Sequence, residues 1–88
     1  VEEMKKWHIQ LVRQIMRSFN VRSITEYADL TGISYGSFKN WMEKSNPGKI
    51  TKRSWIKLRL FVEKCKLEGF SEDACNSIIA KINQAQGE

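Results

Sequence analysis

The chain has 88 residues, 41% hydrophobic and 28% charged, with a net charge of +5 at pH 7. That balance belongs to one small globular domain, residues 1–88, rather than to a disordered or fibrous segment, and so small a core leaves little room for a deep catalytic cleft. No apolar run approaches the roughly 18–20 residues of a membrane-spanning helix, so no membrane partner is expected. The chain opens Val1-Glu2-Glu3, with no signal-peptide pattern and no initiator Met, and reads as a trimmed or excised segment of a cytoplasmic protein.

Met4, Trp7, Leu11, Val12, Ile15, Met16 and Phe19 recur at the spacing of one helical stripe and predict a first helix over residues 2–18. His8 flanks that stripe with no Cys or His at ligand spacing and reads as a bystander. Ser23 and Glu26 form a capping-box pattern that opens a second, short helix at Ile24. Its apolar positions are Tyr27, Ala28 and Leu30, and Gly32 can stop it in a left-handed conformation. Ser34 caps a third helix, which buries Phe38, Trp41 and Met42 and runs to about Lys44.

Asn46-Pro47-Gly48 has the residue order of a type II turn. Thr51 caps a fourth helix with the stripe Trp55, Leu58, Phe61, Val62 and Cys65, and Gly69 closes it. Ser71 caps the fifth helix, residues 72–84; Glu72 and Asp73 complement its dipole, Ala74, Cys75, Ile78, Ile79 and Ile82 form its stripe, and Gln84 to Glu88 are expected to fray. Five capped helices with short connections leave little sequence for strands, so the fold class is all-α.

Cys65 and Cys75 read first as buried reduced thiols, and a bridge between them stays open if their helices pack antiparallel. One His and two Cys make no metal set, and no cofactor motif is present. The paired acids Glu2-Glu3 and Glu72-Asp73 stand at helix starts, where dipole compensation explains them, and nothing resembles a nucleophile elbow. An enzyme is not expected. The three tryptophans fall on apolar stripes and read as core rather than as a stacking platform.

The charge is unevenly placed. Residues 34–68 carry nine Lys/Arg against three acids, a net of +6, whereas residues 1–33 carry +1 and residues 69–88 carry −2. Such concentration points to a polyanionic partner, with a merely solvated basic face as the competing reading. Lys52 and Arg53 occupy the first turn of the fourth helix, where cations oppose the macrodipole. A phosphate at that end would remove the conflict, because helix amides, the Thr51 hydroxyl and both cations would meet one anion. Arg22, Ser23 and Thr25 offer a lesser version at the second helix, and Lys44 and Lys49 complete the candidate phosphate set.

The stretch 24–42, ITEYADLTGISYGSFKNWM, carries the strongest pattern. Two helices meeting steeply across a short turn need a small residue at their contact, here Ala28. Four residues later they need one that tolerates positive φ, here Gly32. Tyr27, Leu30, Ile33, Phe38 and Trp41 stand where apolar residues close the angle from inside. Over residues 4–66 the chain resembles the helix-turn-helix domains of the phage-repressor and Cro type (lambda-repressor-like), with Phe38 and Trp41 matching in type the family's Ile-x-x-Trp step. It departs from the family pattern at Ile24 and Tyr35, where Gln is common, and at Met42 and Lys44.

The resemblance implies that the third helix enters the major groove of double-stranded DNA and presents Ser34, Tyr35, Ser37, Lys39 and Asn40 to base edges. Gly36 weakens that helix by about 1 kcal/mol relative to Ala. Close approach of DNA and loose packing at a helix start explain it equally well. The implied function is sequence-specific DNA binding by a bacterial or phage transcription regulator, in the cytoplasm and on the nucleoid. The alternatives are a DNA-targeting module of a recombinase, transposase or excision factor, and a helical protein-interaction module that binds no DNA. Ile78, Ile79 and Ile82 either complete the monomer's core or meet a second copy; a homodimer through residues 72–84 is the preferred expectation.

Overall fold

Side chains adjacent to each helix satisfy the amides or carbonyls left over at its ends. In the computed structural model, which describes residues 6–19, 23–43 and 50–87, the elements are α1 (Lys6–Ser18), α2 (Ile24–Thr31), α3 (Tyr35–Glu43), α4 (Lys52–Leu67) and α5 (Glu72–Gly87). No strand occurs among the described residues. Four predicted caps form: the hydroxyl oxygens of Ser23, Ser34, Thr51 and Ser71 accept the N–H groups of Glu26, Ser37, Ser54 and Ala74 at 3.2–3.4 Å. Arg22, Lys44, Lys49 and the Asn46-Pro47-Gly48 turn lie outside the described residues.

Two glycines turn the chain. Gly32 ends α2 at φ 76°, with its N–H on the Ala28 carbonyl at 3.0 Å. Gly69 has φ 106° and reverses the chain between α4 and α5. Around it Gly69 N–H donates to Lys66 O and Phe70 N–H to Cys65 O, the paired closure that lets a helix end tightly. Phe70 then packs edge-on against Phe19, with centroids 5.2 Å apart.

α5 packs mainly on α4 and also on α1, while α2 and α3 pack on each other, with α2 also on α4 and α3 on α1. A line of aromatics crosses the core: Trp41 meets Phe38, Phe38 meets Tyr27, and Tyr27 meets Phe61, all at centroid distances of 5.3–5.8 Å. Tyr27 also donates its hydroxyl to the Ile15 carbonyl at 2.6 Å, so the one polar atom of this buried ring is satisfied. Burial raises the Tyr27 pKa far above its ordinary value.

Five expectations change. Ala74, placed on the stripe of α5, is exposed, because the buried face of α5 begins at Cys75. Leu30 does not close the α2–α3 angle from inside; it is 47% exposed. The inward face of α2 is carried by Ile24, Tyr27, Ala28 and Thr31, at i, i+3, i+4 and i+7, and Leu30 stands one step around from them. His8 does not merely flank the α1 stripe: it is buried with it, in T-shaped contact with Trp7 and Trp55 at 4.3 and 5.4 Å. The fraying expected from Gln84 onward is absent through Gly87, because Ala85 is buried and anchors the last turn of α5. Ile78 and Ile82 are buried and Ile79 half-buried within this one chain, which removes the apolar face assigned to a dimer through residues 72–84. Cys65 and Cys75 are free thiols, both buried; burial, with Glu68 and Cys75 nearby, pushes the Cys65 thiol up to about 11.

Candidate nucleic-acid interface

α3 is a short helix held from one side. Phe38 and Trp41, three residues apart, are its fully buried residues, with Met42 half-buried beside them. The opposite face carries Gly36, Lys39, Asn40 and Glu43, with Tyr35 on its edge, and all five are exposed. Ser34 is exposed and Ser37 half-buried; their hydroxyls lie 2.9 Å apart, and Ser34 also caps the helix. Of the predicted base-reading set, Ser34, Tyr35, Lys39 and Asn40 therefore face outward, while Ser37 is turned partly toward its own chain.

Gly36 sits on the outward face. It has no positive φ, and a Cβ placed there would meet nothing within 4 Å. Neither backbone conformation nor internal packing requires a glycine at this position; the open space around it is what loose packing at a helix start predicts, and it equally leaves room for an approaching partner. The result is a stretch of helix backbone bare of side chain between Tyr35 and Asn40.

Thr25, Ala28 and Asp29 of α2 line an open groove with Gly32, Ile33, Ser34 and Tyr35. The fold thus brings the predicted phosphate residue Thr25 beside the predicted base-reading residues Ser34 and Tyr35. It also places the carboxylate of Asp29 there, which the sequence reading left out. An anionic backbone entering this groove must pass clear of Asp29.

The structure sorts the cations by what they already hold. Arg59 donates to Asn83 Oδ1 and Gln86 Oε1, each at 3.2 Å, tying α4 to α5. Lys66 reaches Asn76 Oδ1 at 2.9 Å and Glu72 at 3.8 Å. Lys57 donates to the Gly32 carbonyl at 3.0 Å, and Arg13 to the Met42 carbonyl at 3.2 Å. Three members of the basic stretch, Lys57, Arg59 and Lys66, thus serve the fold. By contrast, among the described residues the side chains of Tyr35, Lys39, Asn40, Lys52 and Arg53 make no hydrogen bond or ion pair within the chain, and all are exposed.

The start of α4 is built differently from the single anion cradle expected of it. Thr51 Oγ1 accepts the Ser54 N–H and donates its proton to Ser54 Oγ at 3.1 Å, so its hydrogen points along the chain rather than outward. Lys52 borders a crevice formed with His8, Trp55 and the end of α5 at Gln86 and Gly87. Arg53 stands one turn before Lys57 on the same helix face, the face that reaches the Gly32 turn. Lys52 and Arg53 diverge by about 100° around the helix, so the two do not converge on one anion. Sequence reasoning did not single out Arg13 or Lys57, because each one's partner carbonyl lies 29 or 25 residues away and nothing local marks it. No family model, curated protein or solved structure matches the chain.

Proposed function

We propose that this chain binds double-stranded DNA through the outward face of α3, with Arg53 and Lys52 on the flanking phosphates, as a sequence-reading module of the kind transcription regulators use. The observation that carries this reading is the exposed ridge Tyr35–Gly36–Lys39–Asn40: donors, an acceptor and an aromatic whose side chains make no hydrogen bond or ion pair among the described residues, set around a residue with no side chain. Lys donates to guanine O6 and N7, and Asn pairs with adenine through N6 and N7, both in the major groove, which is wide enough to admit an α-helix. The left-handed Gly32 and the three-residue connection to α3 support the helix-turn-helix geometry that this mode of docking uses.

The test is a selection of bound duplexes from a random pool, followed by titrations between about 50 and 200 mM salt. On the selected site Asn40→Ala should cost about 1–3 kcal/mol, and much less on random duplex. Lys52→Ala should weaken both alike and lower the salt slope by about one unit. Equal losses on both duplexes for Asn40→Ala would show that α3 is not the reading helix.

A second reading has its own observation. Ile56, Leu60 and Leu67 are exposed (Leu67 by 88%) and fall within about 40° of one another around α4, with exposed Glu63 on the same face between Leu60 and Leu67. That face favours a helical protein-interaction module. Such a module shows no salt slope of DNA affinity, so the same titration separates the two.

A further inference from the structure

We infer that Arg13 and Lys57 are positioning residues that tether the two ends of the α3 unit, fixing the register of its outward face without touching the ligand. This inference rests on the DNA-binding reading above. Met42 is the next-to-last residue of α3, and its carbonyl belongs to the last described turn, where helix carbonyls are open to side-chain donors. Arg13, one helix away on α1, donates to it with Nη2 at 3.2 Å. At the other end, Gly32 is the left-handed residue that leads into α3, and Lys57 of α4 takes its carbonyl at 3.0 Å.

Both acceptors lie at the C-terminal ends of helices, where the dipole is negative and a cation is favoured. Each bond joins α3, or the turn before it, to a different neighbour: α1 below and α4 at the entry. Between them α3 is anchored by Phe38 and Trp41, with Met42 half-buried beside them, so two polar bonds at its ends add to a small set of apolar contacts. Phosphate contacts tolerate small movements of a helix because charge attraction is long-ranged and weakly directional. Base-edge contacts do not, since a site must be held within about 0.5 Å to work. Loss of a tether should therefore erode discrimination and leave non-specific binding in place, the opposite of what loss of a phosphate contact does.

The experiment uses Arg13→Met and Lys57→Met, which keep most of the side-chain bulk and remove the donor, with Arg13→Lys and Lys57→Arg as the conservative partners. In the free protein, amide hydrogen exchange at Lys39–Glu43 should quicken about tenfold in the Met variants, as expected for a lost hydrogen bond to a charged group. Amides of α5 should change less than about twofold, which also reports that the fold is intact. On DNA, the ratio of selected-site to random-duplex affinity should fall about tenfold while the salt slope stays within about half a unit. The conservative variants should restore both readouts. Unchanged exchange in α3 overturns the tether. A slope reduced by about one unit, with equal losses on every duplex, also overturns it and makes the residue a phosphate contact. If the unaltered chain binds no duplex, the DNA reading fails by itself, and the exchange measurement still decides whether the two bonds hold α3.

Discussion

α5 and α3 answer the same question, how to hold a helix on a small core, in opposite ways. α5 runs for sixteen residues, starts with Glu72 and Asp73 where the dipole favours them, and sinks Cys75, Ile78, Ile82 and Ala85 into the molecule. α3 runs for nine, has no acid in its first turn, carries a glycine at its second position, and buries Phe38 and Trp41. α3 keeps its Ser34 cap but buries little, and Arg13, Lys57 and the aromatic line through Phe38 add contacts from its neighbours. The difference teaches where the molecule accepts instability. It does so in the element whose exposed Tyr35, Lys39 and Asn40 make no hydrogen bond or ion pair among the described residues.

The sharpest break in this contrast is Phe38→Ala. Phe38 is fully buried and meets both Tyr27 and Trp41, so its truncation should cost about 3–5 kcal/mol. With so few other anchors, α3 should lose hydrogen-exchange protection well before α5 does; uniform loss across both helices would erase the distinction. Next in size is an alkaline transition in the α4–α5 half. The Cys65 thiol is raised to about 11 from 9.0, so the folded chain holds its proton where the unfolded chain has released it. That stability is complete below pH 9 and drains away as pH rises from 9 toward 11, by something on the order of 2 kcal/mol. Denaturant midpoints across that range should fall in the unaltered protein and flatten between pH 9 and 10 in Cys65→Ala, which removes the thiol; Tyr27 contributes only above pH 10.

The smallest effect is the most telling. Gly36→Ala should stabilise the chain by about 0.5–1 kcal/mol, since it raises helix propensity at a site where the added methyl meets nothing. The same substitution should weaken binding to the selected duplex, because the methyl stands where the groove wall must approach. Stability and affinity moving in opposite directions would place Gly36 in the interface; a more stable variant with unchanged affinity would make it a tolerated residue and nothing more.

The elements were open to reading because their signals are local. A cap acts over three residues and a buried stripe repeats every three or four, so Ser23, Ser34, Thr51 and Ser71 could be placed on helix starts without any tertiary knowledge. Leu30 shows the limit of that approach. Its spacing from Tyr27 fits an inward position as well as Thr31 does, and only the direction from which α4 approaches α2 selects between them. His8 was placed beside the α1 stripe rather than in it for a related reason: an imidazole takes no part in a hydrophobic pattern, yet its ring is buried against Trp7 and Trp55. The outward placement of Tyr35, Lys39 and Asn40 followed from the same periodicity that buried Phe38 and Trp41, whereas the duties of the cations did not.

From the order of its residues alone, then, the chain specifies the helices, the caps that open α2 to α5, and most of the stripe that each turns away from water, because propensity, capping and amphipathic period are short-range forces. Which lysines and arginines remain available to a partner, whether the isoleucines of α5 are shared or kept, and how α3 is pinned at both ends were decided only when distant segments packed. Those outcomes depend on carbonyls and amides 25 or more residues away meeting a side chain of the right length, and no local pattern encodes such a meeting.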